Sequence, residues 1–153
     1  SLLYSLVSHQ SSVRMLDKEI KYHVAYLRMA REWSTLSCCN RKKVGALIVK
    51  DGTIISDGFN GTPNGFTNDC EAADGSTYWY VLHAEANALL KVAKSSQSTQ
   101  GATLYVTTSP CRDCSKLIIQ AGISRVVYSE EYRDITGLLV LRDSGIEILK
   151  IEI

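Results

Sequence analysis

Residues 102–122 read ATLYVTTSPCRDCSKLIIQAG, a strand pattern followed directly by a helix pattern. Ala102–Thr107 is rich in β-branched and aromatic residues, which predicts a strand. Cys111–Ala121 has helical spacing of its apolar residues and is followed by Gly122, a residue typical of helix ends. A second apolar run, Arg125–Ser129, predicts another strand. Because the helix connects the two strands, they are expected to lie parallel in one sheet.

The flanking sequence extends this pattern in both directions. Upstream, a helix and a hairpin with an Asp51-Gly52 turn precede a long loop and a further helix. Downstream, one helix and one strand follow. The predicted segments are helices Asp17–Ser34, His83–Ser95 and Ile135–Ser144, strands Val44–Lys50, Thr53–Phe59 and Ile146–Ile151, and loop Asn60–Tyr78. The sequence therefore predicts an α/β fold with a mixed sheet of about five strands and helices on both faces.

The composition of the chain restricts the classes of protein to which it can belong. The chain has 153 residues, 45% of them hydrophobic, and a formal net charge of +1. We expect one domain over residues 15–153, preceded by an added or flexible leader over residues 1–14. A near-neutral charge argues against a duplex nucleic-acid partner. No apolar run reaches the roughly 20 residues that span a bilayer. The five cysteines are expected to be reduced thiols, partly metal ligands, in a cytoplasmic protein.

Two short segments predict a metal site. The first is Leu82-His83-Ala84-Glu85, and the second is Ser109-Pro110-Cys111-Arg112-Asp113-Cys114. With Ser109 as N-cap and Pro110 first in the helix, both cysteines would lie in one helical turn and chelate one ion. His83 would supply the third ligand. Three protein ligands leave a position for water, which is the arrangement of a catalytic rather than a structural zinc.

Glu85 is the predicted catalytic residue. It follows His83 by two positions and need not bind the metal, so its carboxylate could move protons as both base and acid. Taken alone, each segment has other interpretations. A Cys-x-x-Cys pair could be a redox pair or half of a structural zinc site, and His-x-Glu could be a helix cap or a surface ion pair. A zinc-stabilised binding module would not require Glu85.

The two segments together match H-x-E…P-C-x-x-C, the signature of zinc-dependent deaminases that act on nucleobases. Over Tyr26–Ile146 the chain resembles deoxycytidylate deaminases of the cytidine/deoxycytidylate deaminase family. The shared segments include Cys39–Ala46, Gly58–Gly65 (with Phe59 where the family usually has Tyr) and Tyr132-Arg133. The resemblance implies a three-layer cytidine-deaminase-like fold. It also implies zinc-dependent hydrolysis of dCMP to dUMP and ammonia, feeding thymidylate synthesis; the alternative is deamination of another cytosine or adenine nucleoside or of a nucleic-acid base.

The resemblance also implies which residues bind substrate. Asn60 would contact the deoxyribose, although Asn60-Gly61 could be a plain turn. Tyr132 would pack on or near the substrate, or else be an ordinary surface or core tyrosine. A monophosphate needs a cation, for which Arg41 and Arg133 are the candidates. Either arginine could instead be a solvated surface residue.

Regulation and assembly are further implications of the resemblance. Members are commonly homohexamers, activated by dCTP with Mg²⁺ and inhibited by dTTP. The effector site implied here is formed by Gly58, Phe59 and Gly61. Some relatives hold a second zinc with cysteines near Cys38 and Cys70 and a histidine. Because this sequence has no histidine between Cys39 and His83, plain reduced thiols are expected instead.

Overall fold

The computed structural model describes residues 10–153, with side chains described from residue 16 onward. Five strands form one sheet in the order β2-β1-β3-β4-β5. β1 is antiparallel to β2 and β3, whereas β3, β4 and β5 run parallel. The strands are β1 (Gly45–Lys50), β2 (Thr53–Phe59), β3 (Thr103–Thr108), β4 (Arg125–Glu130) and β5 (Glu147–Lys150). The predicted α/β fold with a five-stranded mixed sheet is confirmed.

Four helices cover the two faces of the sheet. They are α1 (Gln10–Ser34), α2 (Ala84–Ala93), α3 (Arg112–Gln120) and α4 (Thr136–Asp143). The first helix begins seven residues earlier than the predicted Asp17 and so includes residues 10–14 of the expected leader. Residues 1–9 of that segment lie outside the described residues. Within residues 10–153, no helix is both long and apolar enough to cross a lipid bilayer.

Alternating side chains of the central strand divide the core into two layers. Leu104 and Val106 of β3 contribute to a fully buried cluster beneath α2, α3 and α4. Tyr105, between them, points to the opposite face and packs with Leu27 of α1. This two-residue period is the expected signature of a strand buried on both faces.

The turn between β1 and β2 has the predicted chemistry. Asp51 and Gly52 have φ angles of 50° and 74°, the left-handed pair that a two-residue type I′ hairpin requires. The hairpin aligns Gly45 with Phe59 at its other end. The chain therefore leaves β2 beside the start of β1, where the predicted substrate residue Asn60 follows.

Gly58 brings α2 close to the sheet. A Cβ atom at this position would lie 2.5 Å from the carbonyl oxygen of Ala84 and 2.8 Å from the backbone nitrogen of Ala88. Only glycine allows this approach, which holds the first turn of α2 against β2. The side chains at the N-terminus of α2 are thereby fixed relative to the sheet edge.

Candidate metal centre and active site

Three potential metal ligands come from two helix N-termini. His83 is the N-cap residue of α2, and Cys111 is the N-cap residue of α3. Cys114 lies three residues further on, and its backbone N–H contacts Cys111 Sγ at 3.5 Å. The prediction that Ser109 caps this helix is wrong, because Cys111 takes the N-cap position and the Ser109 hydroxyl accepts a hydrogen bond from Tyr132 N instead.

The spacing of the ligand atoms suits zinc. His83 Nδ1 lies 3.4 Å from Cys111 Sγ and 3.3 Å from Cys114 Sγ. Tetrahedral ligands at ordinary Zn–S and Zn–N bond lengths lie roughly 3.5 Å apart. Two thiols and one imidazole also form a donor set of the kind found in zinc enzymes. The cluster is therefore compatible with Zn²⁺ in both geometry and chemistry.

The two thiols differ in their affinity for a proton. The hydrogen bond from Cys114, with a further contribution from His83, lowers the pKa of Cys111 to about 4. The same contact and burial raise the pKa of Cys114, so the proton stays on that sulfur. Since thiolates are the ligand form, binding of a divalent cation would displace this remaining proton.

Glu85 lies in the first turn of α2 and is 4% exposed. Burial raises its pKa above the ordinary carboxyl value, while the nearby His83 opposes this shift. A carboxyl group with a raised pKa can both accept and return a proton near neutral pH. Glu85 thus has the environment required of a combined general base and acid.

The cluster faces a cavity of about 340 Å³, which we call the substrate cavity. His83, Glu85 and Cys111 line it, and Cys114 lies behind them in α3. The same cavity is lined by the four residues predicted to bind substrate, which are Asn60, Tyr132, Arg41 and Arg133. The structure therefore brings the predicted catalytic and substrate residues into one site.

Asn60 has a structural task in addition to its place in the cavity wall. Its Oδ1 accepts a hydrogen bond from Val44 N at 2.8 Å, and its Nδ2 donates to Lys42 O at 2.7 Å. These contacts fix the segment that leads into β1, which forms one side of the cavity. An amide group has a second donor hydrogen and a second lone pair, so these bonds leave capacity for a ligand.

Two contacts that shape the cavity were not predicted from the sequence. Glu71 Oε1 accepts hydrogen bonds from the backbone nitrogens of Asn40 and Arg41, at 2.8 and 2.9 Å. The Ser109 hydroxyl accepts from Tyr132 N at 2.7 Å. Each contact spans more than twenty residues of sequence and has no local signal. Together they hold the backbone of Arg41, a predicted phosphate-binding residue, and of Tyr132, which is predicted to pack on or near the substrate.

The predicted effector residues lie beside the substrate cavity without lining it. Gly58 and Phe59 end β2, and Phe59 O accepts a hydrogen bond from Asn87 Nδ2 of α2. Gly61 pairs with Leu82 across an isolated bridge, directly before His83. Through Asn87 and Leu82 this segment, residues 58–61, is connected to the start of α2.

The remaining cysteines form a second cluster. Cys39 and Cys70 are joined by a disulfide, with their Cα atoms 5.1 Å apart, and Cys38 Sγ lies 3.5 Å from Cys70 Sγ. The expectation of reduced thiols is therefore wrong for Cys39 and Cys70. The loop around residue 70 folds back onto the segment before β1, which brings the sulfurs within bonding range. Among the described residues, the possible metal ligands at this place are the three cysteines alone.

Comparison with known families identifies the class of protein. The model of the cytidine and deoxycytidylate deaminase zinc-binding region matches residues 20–130. This range contains the hairpin, the long loop, all three potential metal ligands and Glu85. The chain therefore belongs to this family of zinc-binding deaminases.

Individual proteins similar to this chain give a more specific comparison than the family does. The chain is 37% identical to deoxycytidylate deaminase from Enterobacteria phage T4 over 168 aligned positions, covering 82% of this chain and 87% of that protein. It is 42% identical to human deoxycytidylate deaminase over 101 positions, covering 60% and 56%. Among solved structures, the dCMP deaminase of cyanophage S-TIM5 in complex with dCMP and dUMP has a TM-score of 0.83 and 54% identity. That match covers 87% of this chain and 97% of the cyanophage chain.

Proposed function

We propose that this protein hydrolyses dCMP to dUMP and ammonia, with zinc bound by His83, Cys111 and Cys114. The observation that carries this proposal is the position of the three ligand atoms beside buried Glu85 in the wall of one cavity. The 54%-identical cyanophage enzyme, whose structure contains dCMP and dUMP, supports the choice of nucleotide.

The metal site and Glu85 have separate roles in the reaction. A zinc ion bound at this site would lower the pKa of water to roughly 7 and so supply the nucleophile at neutral pH. Glu85 accepts a proton from the attacking water and delivers it to N3 of the pyrimidine as the water oxygen bonds to C4. Glu85 then takes the remaining proton of that oxygen and transfers it to the 4-amino group; the C4–N bond breaks, the C4 carbonyl forms and ammonia leaves. Burial of Glu85 favours this return step because it raises the pKa of the carboxyl and so stabilises its protonated form relative to the carboxylate.

The rest of the substrate is bound by the predicted wall residues. Asn60 contacts the deoxyribose, and Tyr132 packs on or near the substrate. Arg41 and Arg133 bind the 5′-phosphate, where a guanidinium can make charge-assisted hydrogen bonds. Both arginines are exposed at the cavity rim, so a phosphate could reach them without being buried.

Assembly and regulation extend the proposal. The protein is a homo-oligomer, in the family's hexameric form, activated by dCTP with Mg²⁺ and inhibited by dTTP at Gly58, Phe59 and Gly61. Trp79 is 91% exposed beside Tyr80, and an exposed aromatic group of this kind supports self-association. The hydrogen bond from Asn87 to Phe59 O supports coupling of an effector to α2.

The cellular location proposed is the cytoplasm, where a free nucleotide substrate and thymidylate synthesis would be found. The Cys39–Cys70 disulfide runs against this location, because disulfides are rare in cytosolic proteins.

A substrate panel tests the proposal. Zinc-loaded protein is assayed for ammonia release from dCMP, CMP, deoxycytidine and dCTP. We expect kcat/KM to be highest for dCMP, and velocity curves with dCTP and Mg²⁺ or with dTTP to shift in opposite directions. Turnover of deoxycytidine as efficient as that of dCMP would indicate a nucleoside deaminase instead.

A further inference from the structure

Two buried hydroxyl groups have no hydrogen-bond partner among the described residues. They are Thr108 Oγ1 and Ser115 Oγ. Buried polar groups in proteins are almost always paired, so each of these groups calls for a structural reason. Ser115 lies in α3, and its hydroxyl is packed where α3 meets Gly137 of α4. Thr108 differs because it lines the substrate cavity.

The strand pattern sets the direction of the Thr108 side chain. Thr108 is the last residue of β3 and is 6% exposed. It follows Val106 by two residues, so it lies on the face covered by α2 and α3 rather than on the α1 face. Thr107 points the other way, where its hydroxyl accepts a hydrogen bond from Gly45 N. Thr108 is thus directed to the side of the sheet that carries the metal ligands.

The neighbouring serine hydroxyl groups all form hydrogen bonds. Ser109 Oγ accepts from Tyr132 N, and Ser129 Oγ donates to Thr107 O at 2.8 Å. Thr108 Oγ1 is therefore the unpaired hydroxyl among these strand-end residues. It lines the same cavity as Glu85 and Cys111, on the face of the sheet covered by α2 and α3, so it is available to a ligand bound in that cavity.

We propose that Thr108 Oγ1 binds the exocyclic group at position 4 of the pyrimidine, in both the substrate and the product. This inference rests on the proposed function. Glu85 serves N3 and the departing amine in that mechanism, which leaves the exocyclic group without a ground-state partner. The 4-amino group of dCMP is a donor, whereas the 4-carbonyl of dUMP is an acceptor. A hydroxyl can accept from the first and donate to the second, which an amide oxygen or an ammonium group cannot do.

The matched substitutions are Thr108→Val, which keeps the shape and removes the hydroxyl, and Thr108→Ser, which keeps the hydroxyl. Ser115→Ala removes the other unpaired hydroxyl, which lies away from the cavity, and serves as the control. Thr108→Val should retain zinc and its melting temperature, because an apolar group of equal shape loses no partner. Its kcat/KM for dCMP should fall about 10- to 100-fold, the usual effect of losing a substrate hydrogen bond. Thr108→Ser should recover most of that loss.

Product inhibition separates a base contact from a general disturbance of the site. We expect Thr108→Val to weaken inhibition by dUMP about tenfold or more, and to leave inhibition by deoxyribose 5-phosphate, which has no base, unchanged. Equal weakening of both inhibitors, loss of zinc, or kinetics within twofold of the wild type would overturn the proposal. If Thr108→Val does not fold, the same comparison is made with Thr108→Ala.

The wild-type protein distinguishes failure of this inference from failure of the proposed function. If the zinc-loaded wild type neither deaminates dCMP nor is inhibited by dUMP, the proposed function is wrong before any variant is compared. If the wild type does both and the Thr108 variants match it, only the role of Thr108 is wrong.

Discussion

Ser109 Oγ accepts a hydrogen bond of 2.7 Å from the backbone nitrogen of Tyr132. The contact joins the turn after β3 to the turn after β4, at the edge of the sheet where both parallel strands end. Tyr132 lines the substrate cavity, and its side chain is 38% exposed, so the cavity wall does not hold it by packing alone. The serine therefore positions the tyrosine through its backbone.

Replacement of Ser109 by alanine should leave the Tyr132 N–H without a partner. We expect a loss of about 1–3 kcal/mol in the free energy of unfolding and a larger effect on KM for dCMP than on kcat. Ser129→Ala is the control, because it removes one hydroxyl hydrogen bond at a site outside the cavity wall. Denaturant unfolding and steady-state kinetics measure the two effects. An unchanged KM in Ser109→Ala would show that Tyr132 does not depend on this contact for substrate binding.

Replacement of Glu85 by glutamine should separate metal binding from turnover. The side chain keeps its size while losing the ability to exchange a proton, so kcat should fall by at least ~10². Zinc content, measured by atomic absorption, should stay equal to that of the wild type because Glu85 is not one of the three clustered ligands. Activity within a few-fold of the wild type would remove Glu85 from the mechanism.

Replacement of His83 or Cys111 by alanine should abolish stoichiometric zinc binding. Each substitution leaves two of the three clustered donor atoms, too few for a stable site. Asp113→Ala is the control, since Asp113 lies between the two cysteines but is exposed and forms an ion pair with Lys116 on the surface. Retention of one zinc per chain in either ligand variant would show that other residues bind the metal.

The parts of the site that the sequence predicts are those encoded by local spacing. The Cys-x-x-Cys pair and the His-x-Glu pair each lie within one helical turn, so their geometry follows from the helix starts alone. The Asp51-Gly52 hairpin was predicted for the same reason. In contrast, the Cys39–Cys70 disulfide depends on how a patternless loop of more than twenty residues folds back. Nothing in the residues around Cys70 indicates that contact.

Helix boundaries show a second limit of prediction from the sequence. Ser109 and Pro110 are typical of a helix start, yet the cap is Cys111, because the Ser109 hydroxyl is used across the sheet edge. Similarly, α1 begins before the predicted Asp17, because Val13 and Leu16 continue the helical spacing of Ile20 into the expected leader. In both cases tertiary contacts or helix continuation outweighed a local preference.

The buried pair His23 and Tyr105 should make stability depend on pH. His23 Nδ1 lies 2.7 Å from Tyr105 Oη, and burial, with a smaller contribution from Arg125, lowers the pKa of His23. Glu19 partly opposes this shift. Since the unfolded chain takes up a proton below pH ~6.5 and the folded chain does not, stability should fall as the pH drops from that value towards the lower folded pKa.

The slope of this dependence cannot exceed about 1.4 kcal/mol per pH unit for one histidine. Urea unfolding of the zinc-loaded protein at several pH values between 5 and 7.5 measures the total dependence. The zinc site adds its own pH dependence to both proteins, so the difference between the wild type and a His23 variant gives the contribution of His23. His23→Gln keeps a polar partner for Tyr105 and should flatten the slope. Parallel pH profiles for the wild type and His23→Gln would show that His23 is not the responsible group.

Arg41 and Arg133 should determine the preference for a monophosphate. Both line the substrate cavity. The backbone nitrogen of Arg41 donates a hydrogen bond of 2.9 Å to Glu71 Oε1, which fixes the position from which the side chain extends. Loss of a charge-assisted hydrogen bond to phosphate amounts to about 1.5–3 kcal/mol, or roughly 10- to 100-fold in kcat/KM for dCMP. Deoxycytidine has no phosphate, so its kcat/KM should not change in Arg41→Ala or Arg133→Ala. Arg28→Ala, on the exposed side of α1, controls for the loss of one positive charge. A parallel fall for dCMP and deoxycytidine would mean that these arginines support the site rather than bind phosphate.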